Sequence, residues 1–193
     1  MEKRATTVFG FHGTCKECLA SIESNGFKIS NNHYDWLGPG IYFFQDAPSR
    51  AKEWAKEFKE KKKIKCRSAK ILKCKGDSCE SVVIGVQINL DDCMDLLDIE
   101  WYGVLSEAFD RYLSLCGVTI LEVLEQNEKF HCLDYEIFER TFKALERDGK
   151  KINSVRAVFQ EGSNVYENSY LFDKSHVQIA VRDAQVIANK WSE

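Results

Sequence analysis

The sequence predicts an α+β fold in which strands at both ends of the chain enclose a helical middle. Short apolar runs bounded by turn residues, such as "TTVFGFHGT" and "SVVIGVQINL", are typical of strands. Between about residues 92 and 148, large apolar residues recur every three or four positions, which is typical of amphipathic helices. Strand patterns then return in "SVRAVFQEG" and "HVQIAVRDAQVIA". No repeat or Pro/Ser-rich linker divides the 193 residues, so we expect a single domain over 1–193.

The first half of the chain is predicted to alternate strands and helices. The strand "TTVFGFHGT" enters a turn at Gly13, and "CKECLASIESNG" forms a helix that Gly26 ends. "FKIS" is a short strand, "NNHYDWLGPG" a loop and "IYFF" a strand. "APSRAKEWAKEFKEKKK" is a helix, and "SAKILKC" is a candidate strand ahead of "SVVIGVQINL". The apolar face of the second helix contains Ala51, Trp54, Ala55 and Phe58.

A stiff turn precedes the strand "IYFF". In "LGPG", proline fixes φ and the two glycines accept positive φ, so the chain has little freedom except to turn. Tyr42 follows near the start of the strand. Taken alone, it is best interpreted as a core tyrosine whose hydroxyl has a hydrogen-bond partner.

Composition indicates an ordinary globular protein. The net charge is −3, and no run of about 18 apolar residues is present, so we expect no membrane span and a cytoplasmic location. The eight cysteines are expected to be free thiols in a reducing compartment. Cys15 and Cys18 form one CxxC, but no second pair completes a zinc site, so buried or surface thiols are the better interpretation and no metal is expected.

Charge is distributed unevenly along the chain. Residues 56–75 hold ten Lys or Arg and two acids, whereas residues 91–110 hold seven acids and no Lys or Arg. The basic segment either contacts phosphates or is a solvated helix face followed by a lysine-rich loop. The acidic segment either binds a partner or solvates a helix.

Three separated motifs carry the functional signal: "FHGT" after the first strand, "LGPGIYFF", and "HVQIAVRD" in the last strand. In this order and spacing they resemble the ADP-ribosyltransferase superfamily, in the His-Tyr-Glu branch that includes diphtheria toxin and the poly(ADP-ribose) polymerases. A group of small bacterial toxin-like members is more similar still. The resemblance implies a split antiparallel β-sheet that forms an NAD cleft, with the helical segment between the two sheet halves.

The resemblance also implies roles for individual residues. His12 would bind the adenosine ribose, the backbone of Gly13 would hold the nicotinamide amide, and Thr14 would brace the turn. Tyr42 would stack on the nicotinamide ring, since an aromatic face suits a cationic ring. A second stacking aromatic and a serine are expected from the next helix, where Trp54 and Ser49 are near matches. Lys28 would flank the diphosphate.

The third motif departs from the family pattern. Gln178 stands where the family has a catalytic glutamate. A glutamine amide can hydrogen-bond the ribose 2′-hydroxyl, but it supplies neither a negative charge to an oxocarbenium-like transition state nor a general base. Polymer synthesis is therefore disfavoured, and Glu161, in the loop before the last strand, is the candidate for a helping acid or a solvent-exposed loop residue.

Two further groups are candidate acceptor-binding residues. His176, two positions before Gln178 on the same strand face, is a candidate base for the acceptor or a half-exposed strand histidine. Tyr166 and Tyr170 either stack on an acceptor base or pack the loop.

These inferences predict an enzyme that transfers a single ADP-ribose from NAD⁺ to an intracellular macromolecule. A nucleic acid is weakly favoured over protein as acceptor, and the expected context is a toxin of a toxin–antitoxin or phage-defence system with a cognate antitoxin. The alternatives are a module that binds NAD or ADP-ribose without catalysis, supported by Gln178, and an NAD glycohydrolase that uses water as acceptor.

Overall fold

A seven-stranded, mostly antiparallel open sheet forms the centre of the α+β fold. The computed structural model describes residues 6–65, 80–117 and 132–192, except the side chains of 58–65. The candidate strand "SAKILKC" lies outside these residues, as do the side chains of most of the basic segment. The elements are β1 (Thr7–Cys15), α1 (Lys16–Asn25), β2 (Ile41–Gln45), α2 (Pro48–Lys65), β3 (Ser81–Asn89), β4 (Cys93–Asp95), α3 (Tyr102–Cys116), α4 (Cys132–Arg147), β5 (Ser154–Phe159), β6 (His176–Val181) and β7 (Ile187–Ser192).

The strands lie in the order β4-β5-β6-β2-β1-β3-β7. All neighbours are antiparallel except β4 and β5, which are parallel. β1 pairs with β3 over its whole length, from Thr7 opposite Asn89 to Cys15 opposite Ser81. Its pairing with β2 covers only Gly10 opposite Gln45 and Phe11 opposite Phe44. The sheet is therefore continuous, but the pairing between β1 and β2 at its centre, which we call the seam, is short.

Each face of the sheet has its own apolar core. On one face, α1 covers a cluster that includes Ile41, Phe43, Ile84 and Ile179, all at most 3% exposed. On the opposite face, α4 covers a cluster that includes Leu37, Phe142, Val155 and Ala180. α2 packs on this second face against a third cluster, formed by Phe11, Phe44, Ala51 and Val83. The side chains of β2 alternate between the two faces, as the strand period of two requires.

Three elements differ from the sequence predictions. "FKIS" forms no strand, because its only ladder contact is an isolated bridge between Ser30 and Gly40. The predicted helical segment 92–148 begins with strand β4, which pairs with β5 far along the chain. The single last strand is two strands, because the Asp183 carboxylate accepts from Gln185 N–H and starts a 3₁₀ turn at Ala184–Val186.

The predicted apolar face of α2 is partly confirmed. Ala51 and Ala55 are 0% and 5% exposed. Trp54, which was assigned to the same face, is 36% exposed. Within the described ranges, no helix is both long enough and apolar enough to cross a bilayer.

Candidate functional site

The His12 side chain ends the pairing between β1 and β2. Asp46 N–H donates to Phe9 O, so odd-numbered residues of β1 direct their backbone groups towards β2. The register of the two rungs places Gly13 opposite Tyr42 at the next hydrogen-bonded position. There, however, His12 Nδ1–H donates to the Tyr42 carbonyl at 2.9 Å. The imidazole thus takes the acceptor that the Gly13 N–H would otherwise use.

The N–H and C=O of Gly13 therefore face the interrupted seam, and the N–H does not have the Tyr42 carbonyl as its acceptor. On the α2 side, a Cβ at Gly13 would lie 2.0 Å from the Ala51 carbonyl oxygen and 3.2 Å from Ala55 Cβ. Glycine is thus required here for the close approach of helix α2. In the predicted role, Gly13 would hold a carboxamide with its backbone N–H and C=O, which point towards β2 and away from this close contact.

The His12 ring lies on the α1 face of the sheet. It packs edge-on against Phe27 and Phe43, with ring centroids 5.4 and 5.8 Å away. Burial disfavours the imidazolium and lowers the pKa of His12, and the bond to the Tyr42 carbonyl opposes this shift only in part. A neutral His12 keeps Nδ1–H as the donor at neutral pH. Thr14 is on the same side of β1 and is half-buried.

The Tyr42 side chain lies on the opposite face and is held by the stiff turn. Its hydroxyl donates to Gly38 O at 2.7 Å and accepts from Leu37 N–H at 3.1 Å. Burial, with the nearby Asp35 carboxylate, raises the pKa of this phenol, so it remains protonated. The ring packs against the cluster covered by α4. These contacts match the interpretation of Tyr42 as a core tyrosine. The rings of Tyr42 and His12 lie on opposite faces of the sheet, and the hydrogen bond from His12 to the Tyr42 carbonyl links the two residues.

Gln178 shares the face of Tyr42. It lies opposite Phe44 in the β2–β6 ladder, two positions along from the Tyr42–Ala180 pair and so on the same face. Trp36 Nε1–H donates to Gln178 Oε1, and Gln178 Nε2 lies 3.5 Å from His176 Nε2. The indole therefore fixes the amide with its NH₂ group towards His176.

His176 is buried between aromatic rings. Its ring centroid is 4.6 Å from that of Phe44 and 5.6 Å from that of Phe159. Nδ1–H donates to Lys174 O at 2.8 Å, which leaves Nε2 as the acceptor for the Gln178 amide. Burial lowers the pKa of His176, and the Arg50 cation lowers it further, against opposing effects of the Lys174 carbonyl and Glu161. His176 is thus a neutral base with its lone pair towards Gln178.

Glu161 is bound to a buried arginine. Arg50, only 8% exposed, holds the Glu161 carboxylate through Nη2 at 2.6 Å and lies with its guanidinium carbon 5.4 Å from the Phe44 ring centroid. Lys174 ties the same loop to α2 by an ion pair of 2.6 Å with Glu57. The loop that carries Glu161 is therefore attached at two points to helix α2.

A surface pocket beside this ion pair brings two of the predicted residues together. Ser49 and His176 both line it, with Arg50, Glu53 and Asp173. Trp54 lies nearby, with its ring centroid 6.4 Å from that of Phe44. Ser49, Trp54, Glu161, His176, Gln178 and Tyr42 thus form one region on the face of α2 and α4.

Two predicted residues are separate from this region. Lys28 is exposed after α1, and Tyr166 is 63% exposed in the loop before β6. Among the described residues, no hydrogen bond, ion pair or ring contact joins either of them to the region. Tyr170, in the same loop as Tyr166, is 94% exposed.

Sequence reasoning missed two residues of the site, Trp36 and Arg50. Trp36 precedes the Gly-Pro-Gly turn, and its ring centroid is 4.8 Å from that of Phe159. An indole just before a stiff turn is a detectable signal, but its partner is 142 positions away. Arg50 gave no signal, because an arginine in the first turn of a charged helix is normally solvated.

The described residues contain no group of three or more His, Cys, Asp or Glu that could hold a metal ion. No protein-family model, no curated protein and no solved structure matches the chain. The class that fold and site define is an α+β protein with a seam in its central sheet and a polar, aromatic region beside it. Its function is therefore argued from the chemistry of these groups.

Proposed function

We propose that the protein is an NAD⁺-dependent mono-ADP-ribosyltransferase that modifies an intracellular macromolecule. The observation that carries the proposal is the substitution of the His12 imidazole for a peptide N–H at the Tyr42 carbonyl. This substitution leaves one N–H and one C=O of Gly13 facing the seam. The motif resemblance and this arrangement support the same ligand independently.

A nicotinamide carboxamide is complementary to these two groups. It has one carbonyl acceptor and one NH₂ donor on neighbouring positions, and a single extended residue offers one N–H donor and one C=O acceptor on the same side. Both bonds would fix the ring's orientation without any side chain. Cleavage of the nicotinamide–ribose bond then passes through an oxocarbenium-like transition state, as in glycoside hydrolysis.

Gln178 would act on the ribose as a neutral hydrogen-bonding group. Its oxygen accepts from Trp36, so the amide is oriented to donate. No charge on this side chain stabilises the oxocarbenium, which supports transfer of single units over polymer synthesis. The neutral His176 imidazole is the better placed base for an acceptor, because the Glu161 carboxylate is paired with Arg50.

A nucleic acid is the favoured acceptor class. Lys56, at the start of the basic segment, is exposed, and Tyr166 and Tyr170 offer ring faces on which bases can stack. The proposed context is a toxin of a toxin–antitoxin or phage-defence system, whose cognate antitoxin would hold this activity in check. Protein is the competing acceptor, and water would make the protein a glycohydrolase.

The test uses adenine-labelled NAD⁺ with the full chain and separate pools of total RNA, single- and double-stranded DNA, and lysate protein. We expect label in one pool, and in none with His12→Ala. The matched control is His33→Ala, because His33 is exposed and its ring contact within the described part of the chain is with Tyr135. Equal labelling by wild type and His12→Ala contradicts the assignment of the seam, and free ADP-ribose without label on macromolecules indicates the glycohydrolase.

One observation favours a second candidate, a module that binds NAD or ADP-ribose without turnover. Both ends of the Gln178 amide already have partners within the protein, Trp36 and His176. Calorimetric binding of NAD⁺ that His12→Ala removes, with no nicotinamide released over hours, would establish this function instead.

A further inference from the structure

The two thiols of the CxxC motif lie in contact at the junction of β1 and α1. Cys15 is the last residue of β1 and the N-cap of α1, with extended backbone angles. Its Sγ lies 3.1 Å from Sγ of Cys18, which is in the first turn of the helix. Residues three apart at a helix start are neighbours, and a disulfide requires a sulfur separation of about 2.05 Å. Closing the bond therefore requires a movement of about 1 Å.

We infer that Cys15 and Cys18 are a reversible dithiol–disulfide pair. Both side chains are half-buried, so small oxidants reach them. Two of the other described cysteines differ from this pair. Cys93 is partly buried, and burial raises its pKa to about 11, while Cys116 is exposed without a neighbouring cysteine in the described ranges. In cells that keep most thiols reduced, disulfides that do form are typically transient and redox-sensing.

The reaction with a small-molecule disulfide such as oxidised glutathione balances in two exchange steps. One thiolate of the pair attacks the glutathione disulfide and releases one glutathione thiolate. The second thiolate attacks the protein sulfur of this mixed disulfide and releases the second glutathione. The two cysteines lose two electrons and two protons, and one oxidised glutathione becomes two reduced glutathiones.

The pair is structurally linked to the candidate site. Gly13 lies two residues before Cys15, and Phe27, directly after α1, packs against the His12 ring. Lys16 N–H donates to Glu80 O and fixes the same junction to the chain before β3. A disulfide would tie the first turn of α1 to the end of β1 and restrict the helix that precedes Phe27. An effect of oxidation on NAD⁺ turnover rests on the proposed function, whereas formation of the disulfide does not.

The sequence "CKEC" allows a direct test, because trypsin cleaves after Lys16, between the two cysteines. The full chain is equilibrated in glutathione buffers of graded redox potential, alkylated and digested. We expect the peptides ending at Lys16 and beginning at Glu17 to appear as one linked species that a reductant separates. Exposed Cys116 should instead carry glutathione, since no other cysteine of the described ranges lies beside it to displace the glutathione.

Two variants complete the experiment. In Cys116→Ser the linked species should form as in wild type, and in Cys15→Ser it should be absent, with Cys18 converted to the glutathione adduct. Two results in the wild-type protein would overturn the inference. Either Cys15 and Cys18 are both alkylated at potentials at which Cys116 carries glutathione, or Cys15 is linked to a cysteine other than Cys18. Linked peptides in a protein whose reduced form also shows no NAD⁺ turnover refute the proposed function and leave the dithiol pair standing. NAD⁺ turnover by a protein that never forms the linked species refutes the dithiol pair and leaves the proposed function standing.

Discussion

Replacing Gln178 by glutamate tests the hydrogen-bonded chain from Trp36 to His176. The change keeps the shape of the side chain and the acceptor for the Trp36 indole, but it places a carboxylate where an amide faces His176. The structure has Gln178 Nε2 at 3.5 Å from His176 Nε2. A charge pair at this separation gains about 4 to 5 kcal/mol at an effective dielectric constant of about 20. Gln178 is only half-buried, so water screens part of this energy.

We therefore expect Gln178→Glu to raise the pKa of His176 by about 2 units, within the range of roughly 1 to 3 units usual for an opposite charge nearby. Burial lowers the pKa of His176 in the wild type, so the variant should become charged at a higher pH than the wild type does. NMR of the histidine ring carbons over pH 4 to 9 measures the shift, with the His176 signal assigned by its loss in His176→Phe.

Gln87→Glu is the matched control, because Gln87 lies on β3 and two strands separate it from β6. It adds the same charge and should change the His176 pKa by less than about 0.3 units. Equal small shifts in the two variants would refute the hydrogen-bonded chain. If NAD⁺ is the substrate, the same Gln178→Glu protein should release nicotinamide faster, because the carboxylate adds the missing charge beside the oxocarbenium.

Three further predictions concern stability. Gly13→Ala should lower the free energy of unfolding by about 1 to 3 kcal/mol, because its methyl group would overlap the backbone of α2. Gly103→Ala is the control, because open space surrounds Gly103 and no such loss is expected. Thermal unfolding measures both variants. Tyr42→Phe should cost about 1 to 3 kcal/mol in denaturant unfolding, because an amide of the stiff turn loses its acceptor, and an unchanged midpoint would mean that the hydroxyl contributes nothing. His12 and His176 have lowered pKa values, so the unfolded chain binds protons more readily. Stability should be fully present above about pH 6.5 and fall as pH drops below it, by up to about 1.4 kcal/mol per pH unit for each histidine, and a flat profile from pH 7 to 5 would contradict both shifts.

Local patterns predicted most of the elements, because the spacing of apolar residues and the Gly, Pro and capping residues at element ends are properties of short segments. The helix start and stop around α1, the stiff turn before β2 and the buried alanines of α2 all follow from residues within a few positions. Strand β4 did not, since its three residues lie in an acidic stretch and become a strand only by pairing with β5, which begins at Ser154.

The chemistry of the site was less predictable for a similar reason. The motifs placed His176 and Gln178 on one strand face, as the structure has them, because alternation along a strand determines this. They did not predict that the His12 ring packs on the other face, which depends on where the seam between β1 and β2 ends. The partners of Arg50 and Gln178 lie more than a hundred residues away, so no local pattern encodes them.

The imidazole at the seam has a thermodynamic consequence. In the open seam of the structure, the Tyr42 carbonyl accepts a hydrogen bond from His12. In a fully paired seam it would accept one from the Gly13 N–H, so the number of hydrogen bonds to this carbonyl is the same in both states. The two states differ at the Gly13 N–H, which in the open state needs an acceptor from solvent or ligand. A ligand that binds only the open state stabilises it by RT ln(1 + [L]/Kd). Ligand binding and separation of the strands are thus linked equilibria, and the melting temperature would rise with the concentration of any molecule that fills the seam.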